Sequence, residues 1–272
     1  MDNRFLFIGG DKRSLYAQKK LSEEFCCDRL GLGGVYPEPI GRYGRIVLPL
    51  PVSRDGLSVN APFSEIPLPF SLVEKFAEEG ATVFVGGKNA AVEELCARQE
   101  LRLVDYFADE SLTLKNAQLT AEAAASLLVQ STEGSLLGSR ALVTGYGRCG
   151  KYAARLLAAF GAEVQVCARR PEQRTLAQLD GIGTVPPAAL FDAAAKADFV
   201  LNTVPARLFS EKMLSEMKKG AVFMELATLP SEPMRELCEK HGLRYIHAAG
   251  LPGKYSPKTA GELIARTIKA AL

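Results

Sequence analysis

The stretch Arg140-Ala-Leu-Val-Thr-Gly-Tyr-Gly-Arg-Cys-Gly150 limits what this chain can fold into more than any other segment. Its glycines, Gly145, Gly147 and Gly150, are spaced G-x-G-x-x-G, and the flanks give that spacing its meaning. Ala141 to Thr144 is a short apolar, β-favouring run. Lys151 to Phe160 carries an alanine- and leucine-rich helical pattern ending at Gly161, and Glu163 to Ala168 reads as a second strand. Strand, glycine turn, helix and strand in that order make a dinucleotide-binding βαβ unit. Gly145 allows the tight turn, Gly147 lets the backbone approach a pyrophosphate, and Gly150 lets helix and strand pack closely. The phosphates are received by N–H groups at the helix start. Tyr146, Arg148 and Cys149 complete the turn and join the predicted cofactor contacts.

The tip of the second strand selects among dinucleotides. An NAD site places Asp or Glu there to bind the ribose 2′-OH. Here Val164-Gln-Val-Cys-Ala168 runs into Arg169-Arg170-Pro171, with Arg174 one helical turn further on. Planar guanidinium groups suit a 2′-phosphate, so Ala168, Arg169 and Arg170 predict NADP. A solvated basic helix start is the alternative reading, and it too leaves the acid missing.

At 272 residues the chain is long enough for two domains. Its 47% apolar and 24% charged residues are those of an ordinary globular protein, and a net charge of +2 without a basic block argues against a nucleic-acid surface. No apolar stretch approaches a membrane span, and Met1-Asp-Asn-Arg-Phe5 lacks the order of a signal peptide. Cysteines 26, 27, 96, 149, 167 and 238 show no CxxC spacing and read as reduced thiols of a cytoplasmic protein. With only His241 and His247, no metal site is expected.

The pattern of elements predicts an α/β protein of two open, doubly wound domains, the second a Rossmann domain. Residues 1–118 form the first, a flavodoxin-like domain of strands 4–8, 45–50, 81–85 and 101–106 with helices 12–24, 71–79 and 89–99. Residues 119–134 read as a connecting helix and 135–255 as a sheet of about six strands, including helices 210–217 and 231–241. Residues 256–272, N-capped by Ser256 ahead of Pro257, form a last helix returning to the first domain beside the connector, leaving a cleft. Gly9-Gly10 reads as a plain strand-to-helix turn.

Ligands of parallel sheets lie at the carboxyl ends of strands. Asn202-Thr203-Val204-Pro205 follows the fourth strand and is predicted to line the nicotinamide ribose. Glu225-Leu-Ala-Thr228 follows the fifth. Gly250-Leu251-Pro252-Gly253-Lys254, with Lys258 at a helix start, suits a substrate carboxylate, against a structural loop with solvated lysines. Thr120 and Glu122 open the connector helix. For Glu122 a capping role stands beside proton transfer, and Lys258 is the other candidate catalytic group. No Ser-His-Asp set is present, so the cofactor carries the hard step.

Ile8-Gly-Gly-Asp11, Leu48-Pro49, Thr120-Ala-Glu122, Gly145–Gly150, Ala168-Arg169, Asn202–Pro205, Leu226-Ala227, Gly250-Leu-Pro-Gly253 and Pro257-Lys-Thr-Ala-Gly261 together resemble the A subunits of dipicolinate synthases over nearly the whole chain. The resemblance implies a cytosolic, NADP-linked oxidoreductase of the mother cell in sporulating bacteria. With a flavoprotein-like B subunit it would convert a dihydrodipicolinate-type compound to dipicolinate, a small dicarboxylate. A homo-oligomer is expected. Two readings from other classes stay open: another two-domain NADP-linked dehydrogenase, related to shikimate or hydroxyacid dehydrogenases, and a non-catalytic NADP-binding regulatory subunit.

Overall fold

The computed structural model describes residues 4–33, 39–227 and 233–272. It divides into two compact units, Met1–Asn116 with Pro252–Leu272, and Ala117–Leu251.

In the first unit a five-stranded parallel sheet runs in the order β2-β1-β3-β6-β7. Its strands are β1 (Phe5–Ile8), β2 (Cys27–Leu30), β3 (Tyr43–Val47), β6 (Ala77–Val85) and β7 (Arg102–Asp105). Strand β1 shows why helices must cover both faces: Phe5 and Phe7 enter one core and Leu6 and Ile8 the other, all at most 1% exposed. Helix α1 (Lys12–Leu21) follows β1 and is capped by Asp11, whose side chain accepts from Arg13 N–H at 2.9 Å. A short hairpin, β4 (Ser58–Val59) with β5 (Leu68–Pro69), occupies a segment without a sequence signal for strands.

Three boundaries differ from expectation. Strand β3 stops at Val47 because Pro49 and Pro51 have no N–H to give a ladder. The helix predicted over 71–79 ends as α2 (Ser71–Phe76), and Ala77 already pairs with Tyr43 before an irregularity returns the register at Arg45 and Thr82. After α3 (Ala90–Arg98) and β7, α4 runs from Glu110 to Gln130, starting nine residues before the predicted connector, and its residues from Ala117 on belong to the second unit. Asp109 caps it, accepting from Leu112 N–H at 2.7 Å.

The second unit carries a six-stranded parallel sheet in the order β10-β9-β8-β11-β12-β13. In chain order its elements are β8 (Arg140–Thr144), α5 (Arg148–Ala159), β9 (Glu163–Cys167), α6 (Pro171–Leu179), β10 (Gly183–Val185), α7 (Leu190–Lys196), β11 (Phe199–Asn202), α8 (Glu211–Ser215), β12 (Val222–Glu225), α9 (Met234–Lys240) and β13 (Arg244–His247). This is the doubly wound order of a Rossmann domain, as expected. Ala141 and Val143 join one core and Leu142 the other, so again both sheet faces are covered. Thr228 and the start of the helix predicted over 231–241 lie outside the described residues.

The segment predicted as a glycine-rich loop coils into α10 (Leu251–Tyr255) before α11 (Pro257–Ala270). Helix α11 lies on α1 through Ala260, Gly261, Ile264, Ala265 and Ile268, an i, i+3/i+4 stripe. Leu112, in the first turn of α4, shares that core. The approach is close: a Cβ at Gly261 would stand 2.4 Å from Arg13 O and 2.7 Å from Tyr16 Cβ. Gly261→Ala would gain about 1 kcal/mol of helix propensity and lose about 1–3 kcal/mol to overpacking against backbone. We expect the clash to win and the denaturant midpoint to fall. A raised midpoint would show that α11 has room to move away from α1.

Candidate functional site

The dinucleotide turn is built from three glycines with three different environments. Gly145 has φ +84°, and a Cβ there would stand 2.8 Å from Thr203 Oγ1 and 2.9 Å from Val204 Cγ2. A Cβ at Gly150 would stand 2.3 Å from the Gly145 carbonyl oxygen, so turn and helix touch through backbone. Gly147, the N-cap of α5, has nothing within 4 Å of its Cβ position and no side-chain cap. The first helical bond runs from Lys151 N–H to Gly147 O at 2.9 Å, so the amides ahead of it are not consumed within the helix. An open face above helix-start amides fits a pyrophosphate.

Tyr146 does not present its ring to this face. It is buried, and its hydroxyl donates to Asp180 Oδ2 at 2.5 Å, at the end of α6. Arg155 Nε donates to the same carboxylate at 3.0 Å. These two hydrogen bonds, Arg155's the larger, hold Asp180 down to about 2, while burial and then Asp180 raise the Tyr146 hydroxyl. What Tyr146 can offer a cofactor is backbone. Cys149 is half-buried, and burial pushes its thiol up, so it is no activated nucleophile.

At the tip of β9, Ala168 is buried and Arg169 and Arg170 are exposed, with Arg170 at the N-cap position of α6. Arg174 Nη1 donates to Ala168 O at 2.7 Å and to Arg169 O at 3.0 Å. It therefore ties down the turn that carries the two exposed arginines.

Asn202 departs from its predicted role. Its side chain is 2% exposed and committed within the domain: Oδ1 accepts from Thr144 Oγ1 at 2.5 Å and Val204 N–H at 3.2 Å. Nδ2 donates to Glu225 at 3.0 and 3.1 Å and to Val204 O at 3.2 Å. An amide satisfied on every side has nothing left for a ribose. Thr203 and Val204 are half-buried beside Gly145, and Pro205 is exposed. Glu225, a strand end to which the sequence reading gave no role, is 3% exposed and also accepts from Ala227 N–H at 3.2 Å. Burial raises its carboxyl, opposed by the Asn202 and Ala227 donors.

The remaining candidates divide between the units. Thr120 and Glu122 stand in the interior of α4, so a capping role for Glu122 falls; it is exposed and accepts from Gln118 Nε2 at 3.2 Å. In the first unit Lys254 lies in the last turn of α10 and Lys258 is the second residue of α11, both exposed. Ser256 sits at the N-cap position but makes no side-chain cap bond. Gly250 is open, with φ +66°, while Leu251 and Pro252 are buried.

Gly253 lies against a feature missed in the sequence. Its Cβ would stand 2.9 Å from Asp11 Oδ2 and 3.0 Å from Arg13 Nε. Arg13, 6% exposed, grips Asp11 through Nη2 at 2.8 Å and Nε at 3.1 Å and also donates to Leu50 O. Asp11 and Leu50 follow β1 and β3, between which the strand order reverses. That is where open sheets place their ligands. Among the described residues no group of three or more His, Cys, Asp or Glu is arranged to hold a metal, and no helix is long and apolar enough to cross a membrane.

Comparison with known proteins adds the family. Residues 37–107 match the N-terminal domain of the dipicolinate synthase A subunit, and 112–230 match the NAD-binding domain of D-isomer specific 2-hydroxyacid dehydrogenases. The dipicolinate synthase A subunit of Bacillus subtilis strain 168 is 30% identical, the alignment covering 97% of this chain and 94% of that protein. The chain belongs to the family of dipicolinate synthase A subunits.

Crystal structures agree. The dipicolinate synthase A subunit from Bacillus halodurans superposes with a TM-score of 0.88 at 24% identity, covering 99% of this chain and 97% of that one. Its counterpart from Bacillus subtilis gives 0.84 at 26%, covering 100% and 96%. A transhydrogenase from Sinorhizobium meliloti shares the fold at 0.69 and 16% identity, covering 98% and 92%. The second unit is thus a dehydrogenase-type domain, and its cofactor is a nicotinamide dinucleotide.

Two glycine substitutions separate fold from binding. Gly147→Val should leave the unfolding midpoint within about 0.5 kcal/mol of native, because its φ of −79° is ordinary and its Cβ position empty, yet abolish dinucleotide binding. Gly150→Ala, 2.3 Å from backbone, should cost about 1–3 kcal/mol of stability. Calorimetry with both variants checks this; a folded Gly147→Val protein that binds normally would move the phosphates elsewhere.

Proposed function

We propose that this chain is the NADP-linked oxidoreductase subunit of a dipicolinate synthase. It would act in the mother cell of a sporulating bacterium, with a flavoprotein-like second subunit, to convert a dihydrodipicolinate-type compound to dipicolinate. The observation that carries the reading is the match to the Bacillus subtilis protein along 97% of this chain, with the glycine turn fitted for a pyrophosphate. Bound NADP⁺ would supply a hydride acceptor. Loss of a hydride and a proton from a dihydropyridine dicarboxylate leaves an aromatic pyridine, so the protein's part is to bind and orient. Arg169 and Arg170 would hold the 2′-phosphate on a turn tied down by Arg174. Gly145, Gly147, Gly150 and the backbone of Tyr146, Arg148 and Cys149 would take the pyrophosphate. Thr203, Val204 and Pro205 would line the ribose side. Thr120, Glu122 and the Gly250–Lys258 segment are the candidates for the dicarboxylate and for proton transfer.

Cofactor choice is tested by fluorescence titration. NADPH should bind more tightly than NADH, and Arg169→Ala should weaken NADPH by about 1.5–3 kcal/mol, roughly tenfold to a hundredfold, while leaving NADH unchanged. Equal or tighter NADH binding by native protein would sink the assignment.

Substrate identity is tested by supplying the chain and the flavoprotein-like partner with NADP⁺ and a dihydrodipicolinate-generating system, and following dipicolinate by its ultraviolet absorbance. Dipicolinate should accumulate with both proteins present. Lys258→Met, which keeps the stem and removes the charge, should weaken dipicolinate binding without changing NADPH affinity. Unaltered ligand affinity and turnover would leave Lys258 a solvated surface group.

A further inference from the structure

Glu225 is a buried titratable group that the dinucleotide turn does not itself employ. It ends β12 in register with Asn202 on β11, and Asn202 is in register with Thr144 at the end of β8. The three side chains form a hydrogen-bonded row across the carboxyl edge of the sheet: Thr144 Oγ1 donates to Asn202 Oδ1, and Asn202 Nδ2 donates to both Glu225 oxygens.

The chemistry of the row fixes its direction. The Glu225 oxygens accept from Ala227 N–H and from Asn202 Nδ2, so they meet the donor end of the Asn202 carboxamide. The Oδ1 end is then turned toward Thr144 and Val204 N–H, both of which donate to it. A flipped carboxamide would set oxygen against the Glu225 carboxyl and against the Val204 carbonyl, and NH₂ against the Val204 N–H. With Nδ2 also reaching Val204 O, Asn202 clasps both backbone groups of Val204. Thr203 Oγ1 adds a bond to Thr144 O at 2.7 Å. Thr203 Oγ1 and Val204 Cγ2 are the atoms a Cβ at Gly145 would strike, and Thr203 Oγ1 also stands 3.2 Å from the Cβ position of Gly150. Cys238 on α9 is buried, and burial pushes its thiol up to about 12.

We infer that Glu225 is a positioning residue for the dinucleotide: it sets which way the Asn202 carboxamide faces, and through the Thr203–Val204 clasp it holds the wall against which the glycine turn is seated. The pyrophosphate is common to both nicotinamide cofactors, so this role does not depend on whether NADP or NAD is bound.

The test is a pair of substitutions read by NADPH and NADH affinity. Glu225→Gln keeps the size but turns one acceptor into a donor facing Asn202 Nδ2. Both cofactors should weaken about tenfold in a protein that still folds. Asn202→Asp sets two carboxylates together and should weaken them further. The double variant Asn202→Asp/Glu225→Gln again opposes a donor to an acceptor and should bind more tightly than Asn202→Asp alone, a coupling that additive structural damage does not produce. Arg169→Ala, by contrast, should act on NADPH only, so a failure of the NADP assignment is told apart from a failure here. Affinities of Glu225→Gln within about twofold of native for both cofactors, or a double variant no tighter than Asn202→Asp, would overturn the inference. Should the Asn202→Asp proteins not fold, Glu225→Gln and Glu225→Leu decide it: unchanged affinity in either folded protein overturns the role.

Discussion

The second unit depends on the near-contact of Gly150 with the carbonyl of Gly145. Helix α5 can begin directly over the end of β8 only because neither glycine has a side chain at the crossing, where a Cβ would lie 2.3 Å from a backbone oxygen. That crossing aims the first amides of α5 at the space above the sheet. It also keeps Gly147 clear, so a conformation any residue adopts is left without a side chain for the sake of what must approach it.

Much of this was legible in residue order, and the rest was not for identifiable reasons. The strand, turn and helix at 140–160 follow from apolar periodicity and glycine spacing, and the six strands of the second sheet follow from alternating apolar runs. Side-chain commitment is different. Asn202 in the sequence is a polar residue at a strand end, and nothing in spacing says that Thr144 and Glu225, distant along the chain, meet it edge to edge across neighbouring strands. Only the parallel register supplies that. Arg174 is a similar case: its sequence position suggests a phosphate ligand, and its guanidinium is used to tie down the Ala168–Arg169 backbone. The start of α4 was missed because Asp109 caps a helix whose first turns lack the alanine richness that marks its later ones.

The first unit shows the same economy with glycine in a different setting. Gly253 and Gly261 let α10 and α11 come down on the start of α1, the first against the Asp11–Arg13 pair and the second against the backbone of Arg13. A guanidinium 6% exposed must be paired, and Arg13 is paired twice, with the carboxylate after β1 and with the Leu50 carbonyl after β3. The turn at Gly9-Gly10, ordinary by sequence, thus leads into the ion pair that joins two strand ends at the point where the strand order reverses.

Two carboxylates flank the dinucleotide turn and are handled in opposite ways. Asp180 is met by Arg155, Tyr146 and, at 3.9 Å, Lys151, and its carboxyl is held at about 2. Glu225 is buried, meets N–H donors from Asn202 and Ala227, and is raised. Strands β9 and β12 lie on opposite sides of β8 in the sheet, so the turn is held from both flanks, through the Tyr146 ring on one and the Thr203–Val204 clasp on the other. The pairing around half-buried Asp180, with Arg155 and Lys151 on its solvent side, is more open to screening by solvent and salt than the buried row. Rising ionic strength should therefore loosen the Asp180 flank first, leaving the Glu225 row to keep Gly145 seated.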